Sequence, residues 1–462
     1  MKSKKKIARF YRSFLKVAIH RFLLVKTIIL SILCFLLIYD VHATNVNKRT
    51  LPNGFVVLHS ETHNLPIIMV TLLIKVSPLN EPLEKAGLAN LTAELLTEGT
   101  KNRTSGAISE ELEFIGASLD VTVFSDYTAI SLSVLKKDVH KGFELFSDIL
   151  LNSVFPKDEI ERKKELIKGI LKHREEDPAF LAERAFKKEI FGDHPYGRPI
   201  EGSIDTLGSI KRDDLIKFYS SYFLPNNSIL SIAGDLTEEE LNSLIERYLK
   251  NWEKVDLPPF NINRVGNDNK IRKTMQIDKE LTQANIILGH LGVSRDNPDY
   301  YAISVMNYIL GGGGLSSRLM KKIRDEEGLT YDVSSTFISN KEKGFFQVEV
   351  QTKNETANSV ISEILNQINN IRQNLVSEEE LSEAKSYLTG SFIRRLDTNR
   401  EIADFFAFVE FHNLGLDYVD KYLTYINSVT REDILRVAQK YLDPENYILV
   451  VVADKKKASI KY

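Results

Sequence analysis

Hydrophobic and polar positions along this chain alternate in two rhythms, one of period two and one of three to four, and their order occurs twice. Strands are expected at 54–60 and 66–76. A helix over 87–100 follows, in which Leu88, Leu91, Leu95 and Leu96 recur at helical spacing. A strand around 118–133 comes next, then helices at 139–151, 156–176 and 179–191. The second half opens with strands at 272–278 and 283–291. It continues with a helix at 298–310, a strand at 331–350, and helices at 356–373 and 378–396. Each half closes on one unit: a helix, a proline-containing turn, and a buried strand rich in Ile, Leu and Val. Between 214–235 and 433–454, Tyr222 matches Tyr441, Pro225 matches Pro444 and Ile229 matches Ile448. Leu230 with Leu449 and Asp235 with Asp454 keep the same offset of 219 residues. Identities at one offset without a gap make the chain two copies of one α/β unit. The class expected is therefore α+β, two homologous domains each with a sheet packed by helices. Residues 256–270, with Pro258, Pro259, Gly266 and several Asn, read as the linker. That places the halves at 44–255 and 271–462.

The first 43 residues break the pattern. Residues 1–26 carry nine Lys/Arg and no acid, and 22–39 form an apolar run interrupted only by Lys26, Thr27, Ser31 and Cys34. Val41-His42-Ala43 then offers a small-residue cleavage pattern before Thr44, so 1–43 is expected to be a secretory signal peptide. The alternative is an uncleaved membrane anchor, since about 18 apolar residues just span a bilayer. Export to the periplasm, or anchoring facing it, is the setting expected. The whole chain of 462 residues carries a formal charge of −2, and loss of the basic leader leaves about −10. An acidic chain without a basic, aromatic-interleaved stripe argues against nucleic acid as a partner. The single cysteine, Cys34, lies within the leader, so the remainder has no disulfide and no cysteine nucleophile. At 43% apolar content the chain can bury the cores of two domains.

The stretch 87–100, GLANLTAELLTEGT, carries more than amphipathicity. It resembles the metal-binding helix of the pitrilysin/insulinase metallopeptidases, whose pattern is G-L-A-H-x-x-E-H-x-L-x-x-G-T. Two histidines one turn apart hold zinc there, and the intervening glutamate activates water. Here the flanking Gly-Leu-Ala and Gly-Thr stand in register, but Asn90 and Glu94 replace the histidines and Ala93 the glutamate. A further family ligand falls at residue 170, which is Ile170. Glu161, Glu165 and Glu175 lie near it but out of register. The resemblance, covering about 47–455, implies two domains facing each other like a clam shell. It also implies a chain that has lost its own metal and retains no cofactor.

Other candidate chemistry divides sharply. His59 and His63 are four residues apart at a strand end, a spacing of about 13 Å that one zinc cannot bridge. His194, in the loop 192–202, reads as structural through its neighbours Pro195, Gly197 and Pro199. Gly311, Gly312, Gly313 and Gly314 lack the G-K-[ST] ending of a phosphate loop, and read as a flexible break between helices. By resemblance, these glycines lie near the substrate cavity. The R-x-x-x-G-L-x-Y frame from Arg324 to Tyr331 is similar to the family pair that holds the substrate backbone and its oxyanion. A lost metal site beside a kept Arg/Tyr pair implies a non-catalytic subunit. Its partner is expected to be a zinc-bearing homologue, and its substrate a peptide. The alternatives are a stand-alone peptide or protein binder, and a peptidase with a displaced metal held by Glu94 and a nearby acid.

Overall fold

The computed structural model describes residues 46–259, 265–266 and 271–462. The leader 1–43 and most of the linker lie outside them. The first half supplies six strands: β1 (Asn47–Thr50), β2 (Val56–Glu61), β3 (Ile67–Ile74), β4 (Ser118–Val123), β5 (Thr128–Leu135) and β6 (Ser228–Gly234). They form one sheet in the order β1-β2-β6-β3-β5-β4. The second half supplies β7 (Arg272–Asp278), β8 (Gln283–Leu291), β9 (Thr330–Ile338), β10 (Phe345–Lys353) and β11 (Tyr447–Ala453), in the order β7-β11-β8-β10-β9. Apart from β1 the two orders correspond strand for strand. The parallel pairs are β2 with β6 and β7 with β11, and every other pair is antiparallel.

The first half carries helices α1 (Leu88–Glu94), α2 (Ser105–Phe114), α3 (Val139–Asn152), α4 (Lys157–Arg174), α5 (Pro178–Phe191), α6 (Ile204–Ser209), α7 (Arg212–Tyr222) and α8 (Glu238–Tyr248). The second carries α9 (Tyr300–Asn307), α10 (Ala357–Gln373), α11 (Glu378–Ile393), α12 (Asn399–Phe411), α13 (Tyr418–Ser428) and α14 (Arg431–Tyr441). The closing units of the sequence repeat are α7–β6 and α14–β11, and all four boundaries of the second pair lie at the repeat's offset from the first. β6 and β11 are buried along their whole length because they are inner strands covered on both faces, which is why neither alternates: β11 runs apolar throughout and β6 carries only the buried Ser228 and Ser231 among apolar residues and glycine. β5 alternates instead: Ile130, Leu132 and Val134 are buried, whereas Ser131 and Ser133 are half-exposed.

Three expectations need correction. The strand expected around 118–133 is the hairpin β4–β5, turned at Ser125-Asp126. The strand expected at 331–350 is the hairpin β9–β10, where SNKEKG (339–344) makes the turn and a Cβ at Gly344 would strike the Ile338 carbonyl. The helix expected over 87–100 stops at Glu94. Gly99 lies at φ +147°, and Thr100 leaves to bridge Ser153, so the last two leucines pack from a turn.

The halves are joined by reciprocal packing. α5, from the first half, lies on β8 and β11 of the second sheet. α12, from the second half, lies on β3 and β6 of the first. Gly289 makes room for the α5 docking, since a Cβ there would meet the Phe186 ring. Thr71 on β3 donates to Asp404 on α12 at 2.5 Å, and Asn399 donates to the Ile67 carbonyl at 3.2 Å. α12 (NREIADFFAFVEF) has a broad apolar face, with Ile402, Phe405, Phe406 and Val409 buried between its own half and the other sheet, and leaves Glu401 and Asp404 exposed.

Candidate functional site

The site is built around the start of α1. Gly87 sits at φ +96° and Gly202 at φ +79°, and a Cβ on either would collide with backbone, at Glu201 and Ala86 respectively. The kept Gly-Leu-Ala frame is thus a close approach of two chain segments that only glycine permits. The helix has no capping side chain at Gly87. The buried Glu81 carboxylate accepts from Gly87 N–H at 3.1 Å and Ala89 N–H at 3.0 Å, and pairs with Arg198 at 3.2 Å. Burial lifts the Glu81 carboxyl to about 7, against the pull of these donors. The loop 192–202 therefore acts through Arg198 and Gly202, which brace α1. His194 is buried and held well below its ordinary value, to about 4, by loss of solvent. It stays neutral, and its Nδ1 accepts from Tyr196 N–H at 3.2 Å.

Along α1, Asn90 is 9% exposed and Ala93 is buried. Glu94 reaches across to α4, where Lys163 Nζ lies 3.2 Å from its carboxylate and 2.8 Å from that of Glu98. Burial opposes the charge on Lys163, but the two carboxylates outweigh it and raise its pKa above the usual lysine value. Ile170 lies on the same face of α4, between Lys163 and Arg174 by helical spacing, and is 42% exposed. This donor set does not fit zinc: an amide, a methyl, an ammonium-paired carboxylate and an apolar side chain stand where the ligands and base belong. Among the described residues no group of three or more His, Cys, Asp or Glu is placed to hold a metal ion. The acids available to a displaced metal, Glu94 and Glu98, already share an ammonium. His59 and His63 have separate partners. His59 Nε2 bonds the Leu236 carbonyl at 2.8 Å, and His63 lies between Asp235 at 2.6 Å and Glu61 at 2.9 Å.

Arg324 and Tyr331 are brought together. Arg324 lies in the last turn of an irregular helical segment (Met320–Glu326), the chain reverses at Gly328 with φ +64°, and Tyr331 enters β9. The guanidinium lies 5.6 Å from the Tyr331 ring centroid and 3.2 Å from Asp325. Tyr331 is 87% exposed and lines a cavity of about 500 Å³ with Arg174, Phe180, Glu183, Ser334 and Glu349. A second cavity, of about 620 Å³, is lined by Asn90, Glu94, Val121, Thr122, Val123 and Arg198. Arg174, Phe180 and Glu183 line both, so the emptied metal position and Tyr331 face adjoining spaces. Gly311–Gly314 line neither. The first three are tightly packed rather than a loose break: a Cβ at Gly311 would lie 2.6 Å from the Ser335 backbone, and one at Gly313 2.8 Å from the Tyr308 carbonyl. Lys163, Arg174, Phe180 and Glu81 carry no motif. In sequence they are charged or single apolar positions on helices and turns, and only the fold assembles them.

Comparison with known proteins agrees with this geometry. Residues 56–203 match the family model described as insulinase (peptidase family M16), and 209–388 match the peptidase M16 inactive domain. An uncharacterized zinc protease of Rickettsia bellii is 28% identical over 347 residues, covering 74% of this chain and 82% of that one. A non-peptidase homolog YmxG of Helicobacter pylori is 26% identical over 417 residues, covering 89% and 94%. A peptidase M16 inactive domain from Pseudomonas fluorescens superposes with a TM-score of 0.83 at 26% identity, covering 88% of this chain and 98% of that one.

Proposed function

Since this chain belongs to the insulinase family of peptidases, family M16, and its metal-site positions do not fit a metal, we propose that it is the non-catalytic, substrate-binding subunit of a heteromeric peptidase. Its partner is a homologue that bears zinc and performs the hydrolysis, and the substrate is a peptide. The observation that carries this reading is the Arg324–Tyr331 pair. The two are adjacent and solvent-facing, and Tyr331 opens into a cavity next to the defunct helix. A guanidinium and a phenol are donors suited to a carbonyl oxygen that gains charge as it is attacked. Tyr331 lines a cavity and is exposed enough to reach a substrate held by another chain, with Arg324 stacked beside it.

The cavity walls suit an extended peptide. β4 is an edge of the first sheet, and its residues Val121–Val123 line the larger cavity; β9 is the matching edge of the second and carries Tyr331. An edge strand offers unpaired backbone groups to which a peptide adds as one more strand. The acidic charge beyond the leader is consistent with a peptide rather than a nucleic-acid partner. The basic and apolar pattern of residues 1–43 supports export, so the complex works in the periplasm or at the membrane facing it. Co-expression with a family member carrying intact H-x-x-E-H tests the reading. A stable complex that cleaves peptides faster than the zinc-bearing chain alone is the expected result. Two chains that elute separately, with no gain in cleavage, would refute it.

A further inference from the structure

The two cavities share three lining residues, of which one is apolar. Of the residues that line both, Arg174 and Glu183 are charged and already paired, Arg174 with Glu201 at 2.6 Å and Glu183 with Lys187 at 2.5 Å. The third is Phe180, in the first turn of α5, just after the Asp177 cap that accepts from Ala179 N–H at 2.9 Å. Its ring is half-buried and gripped by two guanidinium groups, Arg174 at 5.8 Å and Arg184 at 5.7 Å. Arg184 is in turn tied to Glu175. The ring is therefore held in place, its charged neighbours are satisfied, and it lines both the Asn90/Glu94 space and the Tyr331 space.

We propose that Phe180 is a specificity-determining residue, on which an extended peptide crossing from one cavity to the other lays an apolar side chain. This rests on the peptide-binding reading above. A peptide in the larger cavity alone meets the β4 edge, and one in the smaller alone meets Tyr331. A peptide spanning both must pass the ridge, and with the flanking charges paired the free interaction there is apolar burial. Two anchored guanidinium groups around the ring also make it a poor place for a cationic side chain. Covering part of an aromatic ring with a leucine side chain corresponds to roughly a tenfold gain in affinity over serine at that position.

The test uses the full-length chain and two fluorescein-labelled dodecapeptides of Ser, Thr and Gln, identical except for a single central Leu or Ser, read by fluorescence anisotropy. The expected result is about tenfold tighter binding of the Leu peptide to wild type, no discrimination in Phe180→Ala, and partial discrimination in Phe180→Leu. The Phe180→Leu variant keeps an apolar side chain on α5 and so guards against a folding defect in the alanine variant. Equal binding of both peptides by wild type, or a preference that survives Phe180→Ala, overturns the assignment of Phe180 while leaving peptide binding intact. Failure of wild type to bind either peptide overturns the peptide-binding reading and this inference together.

Discussion

Lys163 explains why the emptied site is more than a set of missing ligands. Its ammonium is held by Glu94 and Glu98, so a fixed positive charge already stands against α1 on the side of Glu94. Two like unit charges about 4 Å apart repel by about 4 kcal/mol at the effective dielectric of a protein surface, roughly a thousandfold in affinity. Reinstating the ligands by identity, with Asn90→His, Ala93→Glu, Glu94→His and Ile170→Glu, is therefore expected to leave zinc binding weak. Adding Lys163→Met to that set is expected to strengthen it by two to three orders of magnitude. Isothermal titration with zinc, backed by elemental analysis, reads both outcomes, and the wild-type chain is expected to bind no stoichiometric zinc. Tight binding by the fourfold variant with Lys163 in place would show that the lysine swings aside without cost.

At the scale of elements, α1 survives the loss of its chemistry because its start is built from other parts of the chain. Glu81 caps it, Arg198 and Gly202 brace it, and Gly87 provides the close approach. Glu81 gives this a pH signature. Its carboxyl is raised from 4.5 to about 7 in the folded chain, so the folded state holds a proton that the unfolded state gives up between these values. The contribution is fully present below pH 4.5 and is lost as pH rises through 7. At 1.36 kcal/mol per pKa unit the loss is about 3 kcal/mol. Urea midpoints measured from pH 4.5 to 7.5 should fall for wild type relative to Glu81→Gln, and parallel profiles would show that the buried carboxyl does not titrate there. The sequence made the closing units legible because amphipathic helix, proline turn and continuous apolar strand are strong local signals, and they recur. It merged each of β4–β5 and β9–β10 into one strand because their turns are short relative to the apolar runs on either side. α12 is not among the expected helices because its apolar positions 402–403, 405–407 and 409 run almost without a break, which blurs the helical period although Glu401 and Asp404 mark an exposed side. Asn90, Ala93, Glu94, Arg324 and Tyr331 could be placed through the family frame. Lys163, Arg174 and Phe180 could not, since a charge or a single phenylalanine on a helix looks the same whether it faces solvent or a cavity.

At the scale of the whole molecule, the two halves repeat one topology and exchange a helix, so the cleft they form is held by shared packing. Ile287, Phe345, Ile448 and Val450 of the second sheet pack with Ala182, Phe186 and Phe191 of α5, and Leu58, Leu73 and Ile229 of the first sheet belong to the core that contains α12. A frame of this kind holds Arg324 and Tyr331 at a fixed place, as the proposed role of donors to a transition state requires. The measurement that bears most directly on the role of the chain uses a complex reconstituted from this chain and the zinc-bearing homologue. Tyr331→Phe removes only a hydroxyl from a side chain that is 87% exposed, so folding and association are expected to be unchanged. Loss of one oxyanion donor typically lowers kcat by about 10²–10³, or roughly 3–4 kcal/mol of transition-state stabilisation. The account predicts a drop of that size in peptide hydrolysis with the complex intact by gel filtration. A Tyr331→Phe complex that cleaves at the wild-type rate would contradict it.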